Sequence, residues 1–293
     1  MKRTTLSIVL LAVVASCFVS CGTQKTAAPE KKEIGLQFYS MRDTIWRSQG
    51  NYLPILQDVA SWGYTSIEAA NYDNGKFYGS TPEEYKANLE KAGLKALSSH
   101  TGRGLSGEEI ANHDFTAAME WWKQCIAAHK AAGMEYIVTP SIGIPGTLQE
   151  LQVICDYFNE VGKLCKAEGL LYGYHNHSFE FQKVEGKCAY DYMVEHTNPE
   201  YVFFEMDVYW AVRGGAAPVE YFQRYPGRFT LLHIKDVCTL GESGMVGFDA
   251  IFKHADEAGL KDIIVEVECA PYPSVENSAK YLLNADFVKA SYK

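Results

Sequence analysis

The chain has 293 residues, of which 47% are hydrophobic and 13% aromatic, enough apolar surface to bury one large core. A formal charge of −9 and the lack of any Lys/Arg cluster exclude nucleic acid as the expected partner, because phosphate contacts draw on lysine and arginine. Neither a GxSxG elbow nor a P-loop is present, which sets aside serine-hydrolase and nucleotide-triphosphate chemistry.

In chain order, residues 1–21 read as a lipoprotein signal peptide. Lys2 and Arg3 form a charged start, and Leu6 to Ala15 an apolar run too short for a membrane span. Either Cys17 in VASC or Cys21 in FVSC is the lipidation candidate. The residues before Cys17 suit a lipobox, while Cys21 is followed by Gly22 and a polar run. Residues 22–33 then form a polar tether. The expected location is extracytoplasmic, in the periplasm or on the outer membrane of a bacterium, with membrane contact through a lipid anchor only.

From residue 34 to 293 a single punctuation recurs: a helical pattern ends in Gly and an apolar strand begins, at Gly63, Gly93, Gly133, Gly169 and Gly259. Strands are expected at 34–39, 65–68, 95–100, 136–139, 171–177, 202–207, 230–235 and 262–268. Helices are expected at 52–62, 82–92, 114–132, 148–168, 189–196, 217–224, 248–258 and 275–290, with Thr81-Pro82-Glu83-Glu84 as a capping box for the second. Eight βα alternations imply parallel strands with right-handed crossovers, hence an α/β fold: a single-domain (β/α)8 TIM barrel. An open doubly wound sheet would need a glycine fingerprint, and no GxGxxG follows the first strand.

The last four strands each end in two polar side chains two residues apart: His175/His177, Glu205/Asp207, His233/Lys235 and Glu266/Glu268. Residues i and i+2 of a strand share a face, so each pair points one way, at the barrel end where active sites form. His175, Asp207, His233 and Glu266 are the candidate metal ligands. A single strand histidine is commonly just a hydrogen-bonded barrel residue, but four such groups are costly to bury without a cation. Lys235, Glu268 and His177, with Glu266 itself, are the catalytic candidates. Lys235 would stabilise an enolate or merely neutralise acids; Glu268 would act as base or orient a ligand.

Glu68, His100, Glu205, Tyr209 and Trp210 are the substrate-binding candidates, with Phe38 and Tyr39 as further stacking surfaces and Arg42 and Arg213 as weaker ones for anions. By strand parity Asn176 and Glu180 point to the other face and are left out. Trp121-Trp122 sits mid-helix and reads as packing. The carboxylate pairs alone would also suit a glycosidase, but interleaved histidines suit a metal better. Cys125, Cys155, Cys165, Cys188, Cys238 and Cys269 show no CxxC spacing, and the sequence leaves any pairing open.

The segments IGLQFYSMRD, YHNHSFEF, FFEMDVYW, PGRFTLLHIKD and IIVEVE, in this order, resemble the xylose-isomerase-like TIM-barrel superfamily, also known as the sugar phosphate isomerase/epimerase family. The resemblance implies one divalent metal ion (manganese, cobalt, magnesium or zinc) on His175, Asp207, His233 and Glu266. It also implies removal of a proton beside a sugar carbonyl. His175 stands where many relatives carry a glutamate, and Gly247 in GMVGFDAIF where an aspartate is expected. Export argues for a carbohydrate without phosphate. The implied activity is a sugar isomerase or epimerase on a neutral keto sugar. The alternatives are a lyase or hydratase cleaving 3-keto-glycosides, and a sugar-binding lipoprotein without catalysis.

Overall fold

The computed structural model describes residues 31–269 and 271–293; both lipidation candidates and residues 22–30 of the tether lie outside the described residues. Eight strands form one parallel sheet: β1 Gly35–Gln37, β2 Ser66–Ala69, β3 Lys95–Ser99, β4 Tyr136–Thr139, β5 Leu171–His175, β6 Val202–Asp207, β7 Leu231–Lys235 and β8 Asp262–Glu266. They pair in the order β3-β2-β1-β8-β7-β6-β5-β4. The two ends meet through a parallel bridge between His100 and Val138, where Thr101 N–H donates to the Val138 carbonyl at 2.9 Å. The result is the (β/α)8 TIM barrel.

Helices at Leu53–Ser61, Pro82–Ala92, Thr116–Ala131, Leu148–Ala167, Ala189–His196, Pro218–Arg224 and Pro271–Asn284 coat the outside. The expected helix at 248–258 is two pieces, Phe248–Lys253 and Ala255–Ala258, interrupted at His254 (φ −104°, ψ 15°). The last helix lies four residues earlier than expected at its start, and Tyr272 within it is extended. The five punctuating glycines all take positive φ, as the helix-to-strand turns require.

Strand alternation sorts the side chains. Val202, Phe204 and Met206 of β6, Leu232 and Ile234 of β7, and Ile263 and Val265 of β8 pack outward into the core shared with the helices. Leu97, Tyr136, Val138, Phe203, Leu231 and Ile264 form a separate apolar cluster inside the barrel. Gly173 on β5 leaves room for the Phe203 ring, which a Cβ there would strike. Phe203, Leu231 and Ile264 share their strand faces with Asp207 and Glu205, His233 and Lys235, and Glu266, so polar layers lie above an apolar plug.

Candidate active site

The lower polar layer is a hydrogen-bonded floor. Glu68, at the end of β2, accepts from Gln37 Nε2 at 2.8 Å and lies 2.8 Å from His233 Nε2 and 3.0 Å from His100 Nε2. His100 Nε2 is also 2.7 Å from Glu205 Oε2. The sequence reading puts Glu68, His100 and Glu205 with the substrate groups. The structure instead buries Glu68 and Glu205 completely and commits them, with His100, to one another. The physical reason is depth: i and i+2 share a face but lie about 7 Å apart along a strand, so Glu205 sits below Asp207.

Burial opposes charge on Glu68, but the adjacent His100 and His233 outweigh it and draw its pKa down to about 2. For Glu205, burial and the neighbouring Glu68 both act upward, and its pKa lies well above the usual carboxylate range. Their surroundings thus push the two carboxyls of the floor in opposite directions.

The next layer contains the candidate metal ligands. Glu68 accepts from His233 Nε2, which turns Nδ1 toward Asp207 Oδ2 at 3.8 Å and Glu266 Oε2 at 3.6 Å. His175 Nδ1 donates to the Pro140 carbonyl at 3.1 Å, which leaves Nε2 facing Asp207 Oδ2 at 3.5 Å. His175 Nε2, Asp207 Oδ2 and His233 Nδ1 are buried and have no hydrogen-bond partner. With a Glu266 carboxylate oxygen they converge within 4.8 Å of one another. Leaving such atoms unpaired costs roughly 1–3 kcal/mol each, and a divalent cation would satisfy all of them.

Two imidazole nitrogens and two carboxylate oxygens suit manganese, cobalt or zinc, and tolerate magnesium. Each imidazole is oriented through its other nitrogen, as ligating histidines are. His100, His175, Glu205 and His233 form a second grouping. It is the poorer one, since His100 and Glu205 already bond to each other.

Above this layer Lys235 Nζ donates to Glu266 Oε2 at 2.8 Å, pairs with Glu268 Oε2 at 2.5 Å and lies 5.4 Å from the Trp210 ring centre. Burial works against the ammonium, but Glu266 and Asp207 outweigh it and raise its pKa. Glu266 is likewise buried, yet His233 and Lys235 hold it well below the carboxylate range.

The strand argument does not extend to every pair. β5 ends at His175 and β8 at Glu266, so His177 and Glu268 stand on the following loops. His177 still reaches the site, 5.1 Å from the His175 ring and 5.7 Å from Trp210. Burial, then His175 beside it, lowers its pKa to about 4, so it is neutral near pH 7. Tyr209 is buried and its hydroxyl accepts from Arg213, which gives both side chains a structural partner.

Three residues outside the sequence candidates hold the site together. Asn176 clasps the Asp207 backbone, accepting from its N–H and donating to its carbonyl, each at 3.2 Å. Glu180 is fully buried and accepts from His177 N–H at 2.8 Å and Tyr174 hydroxyl at 2.7 Å. Parity excludes both only if the strand continues, and it does not. The readable signal is an Asn at a strand end followed by a carboxylate three residues after His177. Gln37, which holds Glu68, carries no local signal at all. A disulfide between Cys238 and Cys269 joins the loops after β7 and β8, while Cys125, Cys155 and Cys165 are buried thiols.

The family described as xylose isomerase-like TIM barrel matches residues 56–290. A solved sugar phosphate isomerase/epimerase from Parabacteroides distasonis is 38% identical, with a TM-score of 0.80 over 88% of this chain and 100% of that one. A second from the same organism is 36% identical, with a TM-score of 0.81 over 90% and 97%. An inosose dehydratase from Geobacillus kaustophilus is 24% identical over 199 residues, 62% of this chain. The chain spans 61% of that protein's length.

Proposed function

Because the chain belongs to the xylose isomerase-like TIM barrel family, we propose that it is an enzyme that takes the proton beside the carbonyl of a neutral keto sugar and returns it to the neighbouring carbon. The observation that carries this reading is the set of three unpartnered buried atoms, on His175, Asp207 and His233, directly beneath the Lys235 cluster. A divalent cation on these atoms and Glu266 would polarise the sugar's oxygens as a Lewis acid.

The remaining work falls to the chain's own groups. Lys235 keeps its proton and so supplies positive charge near the oxygen that becomes negative, rather than acting as a base. Glu266 is turned inward and stays ionised. Glu268, 39% exposed and 2.5 Å from Lys235 Nζ, is the carboxylate able to move a substrate proton. Trp210 supplies a ring beside Lys235 on which a sugar face can stack.

These acid–base groups gather on the loops and strands β7 and β8, so the proton leaves and returns on one face. One-face transfer between adjacent carbons, with the hydroxyl proton of the first passing to the carbonyl oxygen of the second, is isomerisation. Inversion by two opposed carboxylates would need a second one on β5, where this chain has His175. The leader-like N-terminus with Cys17 and Cys21 supports a neutral sugar met outside the cytoplasm. A second reading is loss of a hydroxyl or glycosidic oxygen two carbons from the carbonyl oxygen's carbon. It is supported by the similarity to an inosose dehydratase and needs the same first step.

The test is product analysis by NMR with ketoses and 3-keto-glycosides, using the wild type and the double variant Lys235→Ala/Glu268→Gln. A rearranged or unsaturated sugar is expected from the wild type. The double variant should lose about a thousandfold in rate at unchanged metal content. Full activity in the double variant contradicts these roles. Sugar binding without turnover of any substrate returns the protein to the non-catalytic binding reading.

A further inference from the structure

Seven large hydrophobic side chains are exposed among the described residues. Leu171 opens β5, whereas Tyr39, Trp46, Phe179, Val237, Met245 and Tyr272 lie in segments that follow the carboxyl ends of strands. Scattered exposures need no explanation, but two that line one cleft do. Two of the six border a cleft of about 240 Å3, lined by Phe38, Tyr39, Arg42, Ile45, Trp46 and Tyr78. Whole-ligand pockets run to roughly 300–1,000 Å3, so this one is sized for a single ring.

Its walls suit a flat, uncharged ring. Trp46 is 83% exposed, and Arg42 stacks 4.5 Å above the Tyr39 ring. Phe38 and Tyr78 close the base edge to face, 5.3 Å apart. The cleft is also coupled to the chemistry. Arg42 Nη2 donates to the Glu268 carbonyl at 2.8 Å, and the Glu268 carboxylate grips Lys235. Phe38 directly follows Gln37, whose amide holds Glu68.

Resting on the reading of the central site as a keto-sugar site, we propose that this cleft is a subsite for a second, neutral ring of the substrate: the aglycone of a glycoside, held against Trp46 and Tyr39. Such a substrate spans both sites, and a free monosaccharide fills only one. Arg42 then reports occupancy of the cleft to Glu268 through its backbone.

Calorimetry with the metal-loaded protein tests this, using methyl β-D-glucoside, phenyl β-D-glucoside and cellobiose. None of them carries a keto group, so binding is read apart from turnover. The phenyl glucoside or cellobiose should bind at least tenfold more tightly than the methyl glucoside. Trp46→Ala, at an exposed position that the fold does not depend on, should bring them within twofold while leaving the methyl glucoside unchanged. Preference for the phenyl compound alone assigns an aryl aglycone, and for cellobiose alone a sugar. Equal affinities, binding of none, or a preference that survives Trp46→Ala overturns the subsite. So does a shift from dimer to monomer on Trp46→Ala in sedimentation, which would give the cleft to a second copy. Ketose turnover without the preference sinks the subsite alone. The preference without any turnover sinks the catalytic reading alone.

Discussion

His175 Nε2, Asp207 Oδ2 and His233 Nδ1 face one another without partners, while the opposite nitrogen of each imidazole is fixed by Pro140 or Glu68. His175→Ala should therefore abolish stoichiometric metal retention, read by elemental analysis. Glu68→Gln, which meets the ligand set only at the far nitrogen of His233, should weaken metal affinity about 10–100-fold. Unchanged metal content in His175→Ala would contradict the ligand assignment. A residue away from the site contributes to acid stability. His129 is buried against Tyr72 and Phe77, with Nδ1 on the Cys125 carbonyl at 2.7 Å, and burial lowers its pKa to about 4. The unfolded chain takes up this proton from about pH 6.5 downward, whereas the folded one does not until about 4. The contribution of His129 to stability therefore falls as pH drops through that window, by about 2 kcal/mol at pH 5. Urea unfolding of metal-free His129→Gln should show a correspondingly shallower loss between pH 7 and pH 5.

At the level of elements, the helix Leu148–Ala167 approaches the residue before β6 so closely that a Cβ on Gly162 would collide with the Tyr201 backbone. Backbone cannot swing away, so Gly162→Ala should cost about 2–3 kcal/mol, visible as a lower urea midpoint with an unchanged slope. The eight strands and the order of their helices were legible because Gly turns and apolar runs are local signals. Where strands stop was not. The 3-10 turn Phe38–Met41 ends β1 early, with Gln37 accepting from Tyr39 N–H at 3.0 Å. Glu180 likewise captures His177 N–H and turns the chain out of β5. That Asp207, His233 and Glu266 converge was readable because each closes or nearly closes a strand. The mutual bonding of Glu68, His100 and Glu205 was not, because which groups of different strands meet at one depth depends on strand tilt and register.

Across the whole molecule, the chemistry depends on loops from distant strands meeting at one mouth. The Cys238–Cys269 disulfide ties two of them over 31 residues, one position past Glu268. Reducing it should cost about 3–4 kcal/mol by the chain-entropy relation. Thermal unfolding with and without reductant, paired with thiol counting by mass spectrometry, measures this. The proposed enolisation is tested most directly by proton NMR in D2O. The metal-loaded protein would be offered free ketoses and 3-keto-glycosides, with and without chelator. Deuterium should enter the carbon beside the carbonyl, stop when chelator is added and resume when metal is restored. Turnover with neither deuterium uptake nor movement of a substrate carbon-bound label to the neighbouring carbon, or turnover indifferent to chelator, would contradict metal-assisted proton removal at His175, Asp207, His233 and Glu266.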